Sequence, residues 1–275
     1  MNPRYPIYIP SKSRWESRLT VKVLDRCNVP YRVVIEEQEY NQYSKVIDPN
    51  KLIVLPFSNQ GLAVTRTWIK HHSINEGHAW HWQLDDNIRE FYRFHQNRKM
   101  LMYTGTNFYV IEDIVNRYEN VAQAGMQYAM FAPRKTSIPP LVLNTRIYSC
   151  TLTNNAIPFE WRSFYNDDTD ISLQCLKAGW CTILCQAFLA EKINTMVVKG
   201  GMTPHYQGNG RLEMARALVD LHPDVTTVKW KFHRWQHHVD YRKFKANRLK
   251  LKPGVTISPE INNYGMEIQS NLDGR

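Results

Sequence analysis

The sequence has no uninterrupted apolar run near the ~18 residues that a membrane span needs, so membrane insertion is not expected. Its first residues, MNPRYPIYIP, lack the apolar core of a secretory signal. Cysteine is scarce: five residues, Cys27, Cys150, Cys175, Cys181 and Cys185, an odd and scattered set that makes no disulfide framework. A reducing, cytoplasmic setting follows as the expectation. The last three lie close together but without CxxC knuckles, which favours buried core thiols over a structural zinc site. Neither a Walker A sequence nor G-x-G-x-x-G is present, so a P-loop hydrolase and a Rossmann dehydrogenase lose their main support. Internal repeats and glycine-rich linkers are also missing, and no low-complexity tract marks a disordered region.

What is present describes a folded chain. Its 275 residues are 43% hydrophobic and include 8 Trp and 15 Tyr, enough for a sizeable core. The expected organisation is one large core over residues 1–210 and a basic C-terminal extension, 211–275, packed upon it. The formal net charge of +10 attracts polyanions, although a merely soluble basic protein has the same charge.

Along the chain, YPIYIP, YRVVIEE and KLIVLP read as strands, with a helix over SRLTVKVLDRCN between the first two. A further helix over NQGLAVTRTWIKHHSINEG leads to a strand, HAWHWQL. That alternation predicts a mixed, mainly parallel sheet flanked by helices. Residues 109–125, YVIEDIVNRYENVAQAG, place Ile111, Ile114, Val115, Tyr118 and Ala122 on one helical face, with Gly125 as the stop. MQYAMFAP and RIYSCTLTNNAIPF then read as strands.

Two acidic clusters follow apolar elements. Asp85, Asp86 and Asn87 come directly after HAWHWQL, at a strand's C-terminal end, where doubly wound sheets bind ligands. Asp167, Asp168 and Asp170 open the amphipathic segment DDTDISLQCLKAGW. One Asp suffices to cap a helix, and three within four positions repel one another. Turn formation is the bland account of the first cluster. Together the clusters favour oxygen ligation of Mg²⁺ or Mn²⁺ against a nucleotide's phosphates. The loop Pro10, Ser11, Lys12, Ser13, Arg14 offers hydroxyls and cations near the first strand end, and Arg66 offers another cation from the next helix.

In this order, YIPSKSR, LDDN and NDDTDISLQCLKAGW resemble the GT-A glycosyltransferases, and especially the phage members of the TET/JBP-associated group, which modify hydroxymethylated pyrimidines in DNA. The resemblance spans roughly residues 5 to 235. It implies a Rossmann-like GT-A fold in which LDDN occupies the place of the D-x-D motif. Asp85 then approaches the nucleotide ribose, with Asp86 beside it, and Asn87 helps hold the cation bridging the diphosphate. Asn is a neutral, weaker ligand than the family's Asp, a departure that puts tight metal binding in doubt. The resemblance also makes Asp168 the candidate base, with Asp167 and Asp170 as supporting acids. Further on, VVKGGMTPHYQGNGR presents Lys199, Gly200, Gly201 and Arg211 in a loop able to close over a diphosphate, and His205 matches a late metal-binding His.

The segment Val228–Lys252 concentrates Lys and Arg and interleaves Trp230, Phe232, Trp235, Tyr241 and Phe244. Lys229, Lys231, Arg234, Trp235, His237, Arg242 and Lys243 are the candidate DNA contacts. A half-buried strand with a solvated face is the alternative for VKWKFHRW. The expected activity is transfer of a sugar from a UDP-sugar, with Mn²⁺ or Mg²⁺, to the hydroxymethyl group of 5-hydroxymethylcytosine in DNA, in the cytoplasm of a phage-infected bacterium. A protein or glycan acceptor, or a non-enzymatic DNA-binding protein, are the rivals.

Overall fold

A computed structural model describes residues 1–133, 135, 138–193 and 209–257. The chain runs β1 (Ile7–Pro10), α1 (Leu19–Arg26), β2 (Arg32–Ile35), α2 (Tyr40–Tyr43), β3 (Leu52–Val54), α3 (Leu62–Asn75), β4 (Trp80–Leu84), β5 (Ile88–His95), β6 (Arg98–Leu101) and α4 (Thr106–Val115). It continues through β7 (Val121–Tyr128), β8 (Leu141–Leu143), β9 (Cys150–Asn154), α5 (Asp167–Lys177), β10 (Cys181–Lys192), α6 (Gly210–Leu221), β11 (Thr226–Lys231) and β12 (Arg234–Val239).

The main sheet has the order β3-β2-β1-β4-β9-β7-β10-β5-β6, with β8 also on β10. Strands β1 to β4, β7 and β10 all run one way, while β9 is inserted antiparallel between β4 and β7. This is the mixed, mainly parallel α/β sheet that the strand–helix alternation predicts.

Alternation along each strand sorts side chains to two covered faces. Ile7 and Ile9 point into one layer with Trp82, Leu84, Phe108 and Ile111, beneath α1 and α4. Tyr8 and Val34 point into the other, against Ile69 of α3. Trp82 is fully buried, edge-on to Phe108 at 5.0 Å, and its indole donates to Glu112 at 2.8 Å. Burying side chains of this size contributes roughly 2–3 kcal/mol each.

The helix expected over 109–125 ends at Val115, and Ala122 and Gly125 lie in β7 instead. The polar stretch Asn116–Asn120 interrupts the apolar stripe, and the following residues pair with β9 and β10. Gly125 is not a helix stop. A Cβ there would stand 2.2 Å from the Cys150 carbonyl oxygen, so this glycine permits the close approach of β7 to β9.

After α6 the segment VKWKFHRW is not one strand but a hairpin, β11–β12, separate from the main sheet. Its foot is anchored: Val225, Val239 and Phe244 pack with Leu173 and Leu176 of α5 and Leu218 of α6. All five cysteines are buried and free, in accord with core thiols.

Candidate active site

Strands that run the same way end on the same side of the sheet. There β1 delivers Ser11, β4 delivers Asp85 and Asp86, β7 ends at Tyr128 and β10 ends at Lys192, while antiparallel β9 begins just after Ser149. The Asp85 amide donates to the Ser149 carbonyl at 2.8 Å. One Asp85 oxygen accepts from Ser149 Oγ and from Lys192 Nζ, each at 2.5 Å, and the other accepts from Arg66 at 3.2 Å. Burial acts to raise the Asp85 carboxyl, but Lys192 and Arg66 outweigh it and hold the group down at about 2. The turn itself is clamped by Thr20 of α1, whose hydroxyl donates to the Asp85 carbonyl at 2.5 Å and accepts from the Ile88 amide at 2.9 Å.

Asp86 faces the basic loop. Its carboxylate accepts from Ser11 Oγ at 2.8 Å and forms a close ion pair with Arg14. Tyr43 braces that loop through Ser11 at 2.7 Å and the Arg14 amide at 3.2 Å. Lys12 turns away, to Glu36 at 2.8 Å and Asn59 at 2.7 Å.

Arg66 joins the two acidic clusters. It is 3% exposed on α3 and touches Asp85 on one side, while its Nε lies 2.8 Å from Asp167 Oδ2 on the other. Neither atom of the second contact has a hydrogen-bond partner, so that contact is close but misaligned and its attraction is Coulombic. The polar residues of β4 hold Arg66 from below. His81 Nδ1 lies 2.6 Å from Asn155 Oδ1 and His81 Nε2 lies 2.8 Å from the Gln83 amide nitrogen, which also donates to the Arg66 carbonyl at 3.2 Å. Burial lowers His81 to about 4, so this chain is uncharged and adds no competing cation.

Asp167 and Asp168 occupy the first turn of α5, where the helix dipole favours negative charge. Asp168 is half-buried, and among the described residues its side chain accepts no hydrogen bond. Burial and then the Asp167 charge push its carboxyl up to about 7, against the opposing pull of Arg66. The charge pattern explains why. Among the described residues, Arg14, Arg66 and Lys192 stand against Asp85, Asp86, Asp167 and Asp168, three cations to four carboxylates. Burial also raises the neighbouring Tyr128 and Tyr148 phenols.

Asp170 does not join this group. It is fully buried and accepts from His222 at 2.7 Å, Arg162 at 3.1 Å and Gln174 at 2.9 Å, a structural tie from α5 to α6 and its following loop. The supporting-acid role expected for Asp170 is therefore corrected: both of its oxygens are occupied by structural partners.

A divalent ion was expected at Asp85, Asn87 and His205. The oxygens of Asp85 and Asp86 are already engaged, and among the described residues no three His, Cys, Asp or Glu side chains converge as ligands. Asn87 is 7% exposed, and its Oδ1 is buried without a partner, a feature that an ion could answer. His205 lies outside the described residues, as do Lys199, Gly200 and Gly201. The described residues thus do not fit a divalent ion by themselves, because Lys192 and Arg66 already supply the positive charge at Asp85.

Of the candidate DNA contacts, Lys229, Lys231, Arg234 and Trp235 are exposed on the hairpin. His237 turns inward toward Arg146, and burial followed by that guanidinium lowers it to about 4. Arg242 is paired with Asp240 at 2.7 Å, and Lys243 bonds the Asp224 carbonyl. Sequence reasoning missed Lys192, Ser149 and Tyr43. The signal for Lys192 was its place at the end of the apolar run CTILCQAFLAEK, as Asp85 ends its own run.

The family model of TET-Associated Glycosyltransferase matches residues 5–201. No curated protein matches the chain. Among solved structures it is similar to mannose-6-phosphate isomerase from Helicobacter pylori, at 9% identity over 91% of this chain and 94% of that one. The TM-score there is 0.30.

Proposed function

Because the chain belongs to the TET-associated glycosyltransferase family, we propose that it moves a sugar from a nucleotide diphosphate donor, a UDP-sugar, to the hydroxymethyl group of 5-hydroxymethylcytosine in DNA. The observation that supports this best is a pair of unlike carboxylates near Arg66: Asp85, in contact with it and held ionised, and Asp168, beside the Asp167 that meets Arg66 on its other side, raised to about 7. Environments that push two acids apart are how one site separates a binding role from a proton-transfer role.

In this reading the donor lies over the ends of β1 and β4, with Ser11, Arg14 and Asp85 on its nucleotide. The acceptor oxygen attacks the anomeric carbon while Asp168 takes its proton, and the bond from that carbon to the diphosphate oxygen breaks. The departing diphosphate carries away the electron pair, and Arg66 and Lys192 meet its charge. Asp167 keeps Arg66 in place and the Asp168 carboxyl high. A divalent ion, if one is held at Asn87 together with residues beyond those described, would add further charge to the same leaving group.

A released-nucleotide assay tests the proposal. UDP should accumulate from a UDP-sugar when duplex DNA bearing 5-hydroxymethylcytosine is added, and not when unmodified DNA of the same sequence is added. Equal release with both DNAs, or release stimulated only by protein or glycan, counts against it.

A further inference from the structure

The β11–β12 hairpin turns through Phe232 and His233, whose φ angles are +54° and +57°. Two successive left-handed residues make a type I′ turn, which favours Asn, Asp and Gly because a larger side chain crowds the backbone there. Another tight hairpin, β5–β6, turns at Gln96 and Asn97 with φ of +46° and +60°, and so uses one of the favoured residues. Phe232 gains no packing in exchange for its strain. It is 80% exposed, and among the described residues its ring has no aromatic or cationic partner. Strain kept at an exposed position points to use rather than folding.

The surroundings identify the user. Lys231 and Arg234 flank the turn as a cross-strand pair, and Lys229 follows on the same face. The opposite face carries Trp230 against Trp235, edge to face at 5.1 Å, and these rings are 57% and 41% exposed. An unpartnered apolar ring at the tip of a hairpin that carries cations on one face and two indoles on the other matches a polymer with an anionic backbone and stacked flat rings inside. The hairpin's foot is also fixed to the helix whose first turn carries Asp168, since Val225 and Val239 share a core cluster with Leu173 and Leu176 of α5. From His237 to the tip the strand reaches about 15 Å. A nucleotide turned out of a duplex moves outward from the stack, so a ring that takes its place acts at a distance from the carboxylate that meets the base.

We propose that Phe232 is a wedge that enters the base stack of duplex DNA when the modified base is turned out, with Lys229, Lys231 and Arg234 on the flanking phosphates. The inference rests on the DNA-acceptor reading and deepens it by assigning the residue that opens the duplex. Phe232→Asn separates strain from stacking, because Asn accepts the left-handed turn while lacking the ring. Phe232→Trp keeps a ring.

The test uses the full chain and a hydroxymethylcytosine duplex with 2-aminopurine beside the target. Wild type should raise the 2-aminopurine fluorescence on binding. Phe232→Asn should lose that rise and transfer to the duplex about 10-fold more slowly. It should keep transfer to a hydroxymethylated trinucleotide within about twofold and melt about 2 °C higher. Phe232→Trp should retain the fluorescence rise. Wild-type fluorescence and duplex transfer in Phe232→Asn overturn the wedge alone, as does an equal loss on duplex and trinucleotide. No transfer to any DNA by wild type overturns the acceptor reading as well.

Discussion

Replacing Asp168 by Asn keeps the shape of the side chain and removes its charge, so the substitution should abolish transfer while making the fold more stable. Its carboxyl is raised to about 7 in the folded protein, above the unfolded value near 4, which means that folding favours the protonated form. The sign follows: the ionised carboxylate opposes folding, by an amount that is absent below about pH 4, grows as pH rises and is complete above about 7. The difference between about 7 in the folded protein and about 4 in the unfolded chain corresponds to about 4 kcal/mol, and partial solvent access to Asp168 reduces this to about 2 kcal/mol. For a chain of this size, Asp168→Asn should melt about 4 °C above wild type at pH 8, and by about a third of that at pH 5. Its transfer rate should fall about 10²–10⁴-fold, the range for loss of a general base, with UDP affinity retained. Calorimetric melts at the two pH values, with a transfer assay beside them, check both parts. A variant that transfers normally, or whose change in melting temperature is the same at both pH values, refutes the reasoning.

Other substitutions probe the rest of the site. With wild type, kcat/KM should rise with pH to a plateau above about 7, because Asp168 must lose its proton to act; a profile flat from pH 5.5 to 8.5 counts against that assignment. Lys192→Met removes the ammonium 2.5 Å from Asp85 and should weaken UDP binding at least about 10-fold by titration calorimetry. Chelation by EDTA should change wild-type UDP affinity by less than about twofold, because Lys192 and Arg66 provide the charge; complete loss that Mn²⁺ restores would reinstate the ion as the main partner of Asp85. Gly125→Ala places a methyl 2.2 Å from a carbonyl oxygen and should lower stability by about 3 kcal/mol or more in denaturant melts, without altering the site's charges.

Much of the architecture was legible because periodicity and punctuation report local structure directly. HAWHWQL gave way to Asp85 where a strand ends, and NDDTD opened a helix as acids do. Even there, His81 and Gln83 could not be read from the apolar pattern, because they alternate onto the α3 face and are satisfied by Asn155 and Arg66. Residues 121–125 were misread because Ala122 and Gly125 fit a helical stripe as well as a strand, and only pairing to β9 and β10 decides between them. Lys192 was out of reach for a related reason. It meets Asp85 across 107 residues of sequence, through a strand order that no local spacing encodes. The same holds for Arg66, whose bridge between the acidic clusters depends on α3 lying over β4 beside the start of α5.

The chemical identity of the product tests sugar transfer to DNA most directly. Duplex DNA containing 5-hydroxymethylcytosine, incubated with the protein and a panel of UDP-sugars and then digested to nucleosides, should yield by mass spectrometry a nucleoside heavier by one sugar residue with wild type, and none with Asp168→Asn. Unaltered nucleosides with every donor, from protein that still binds UDP, would contradict it.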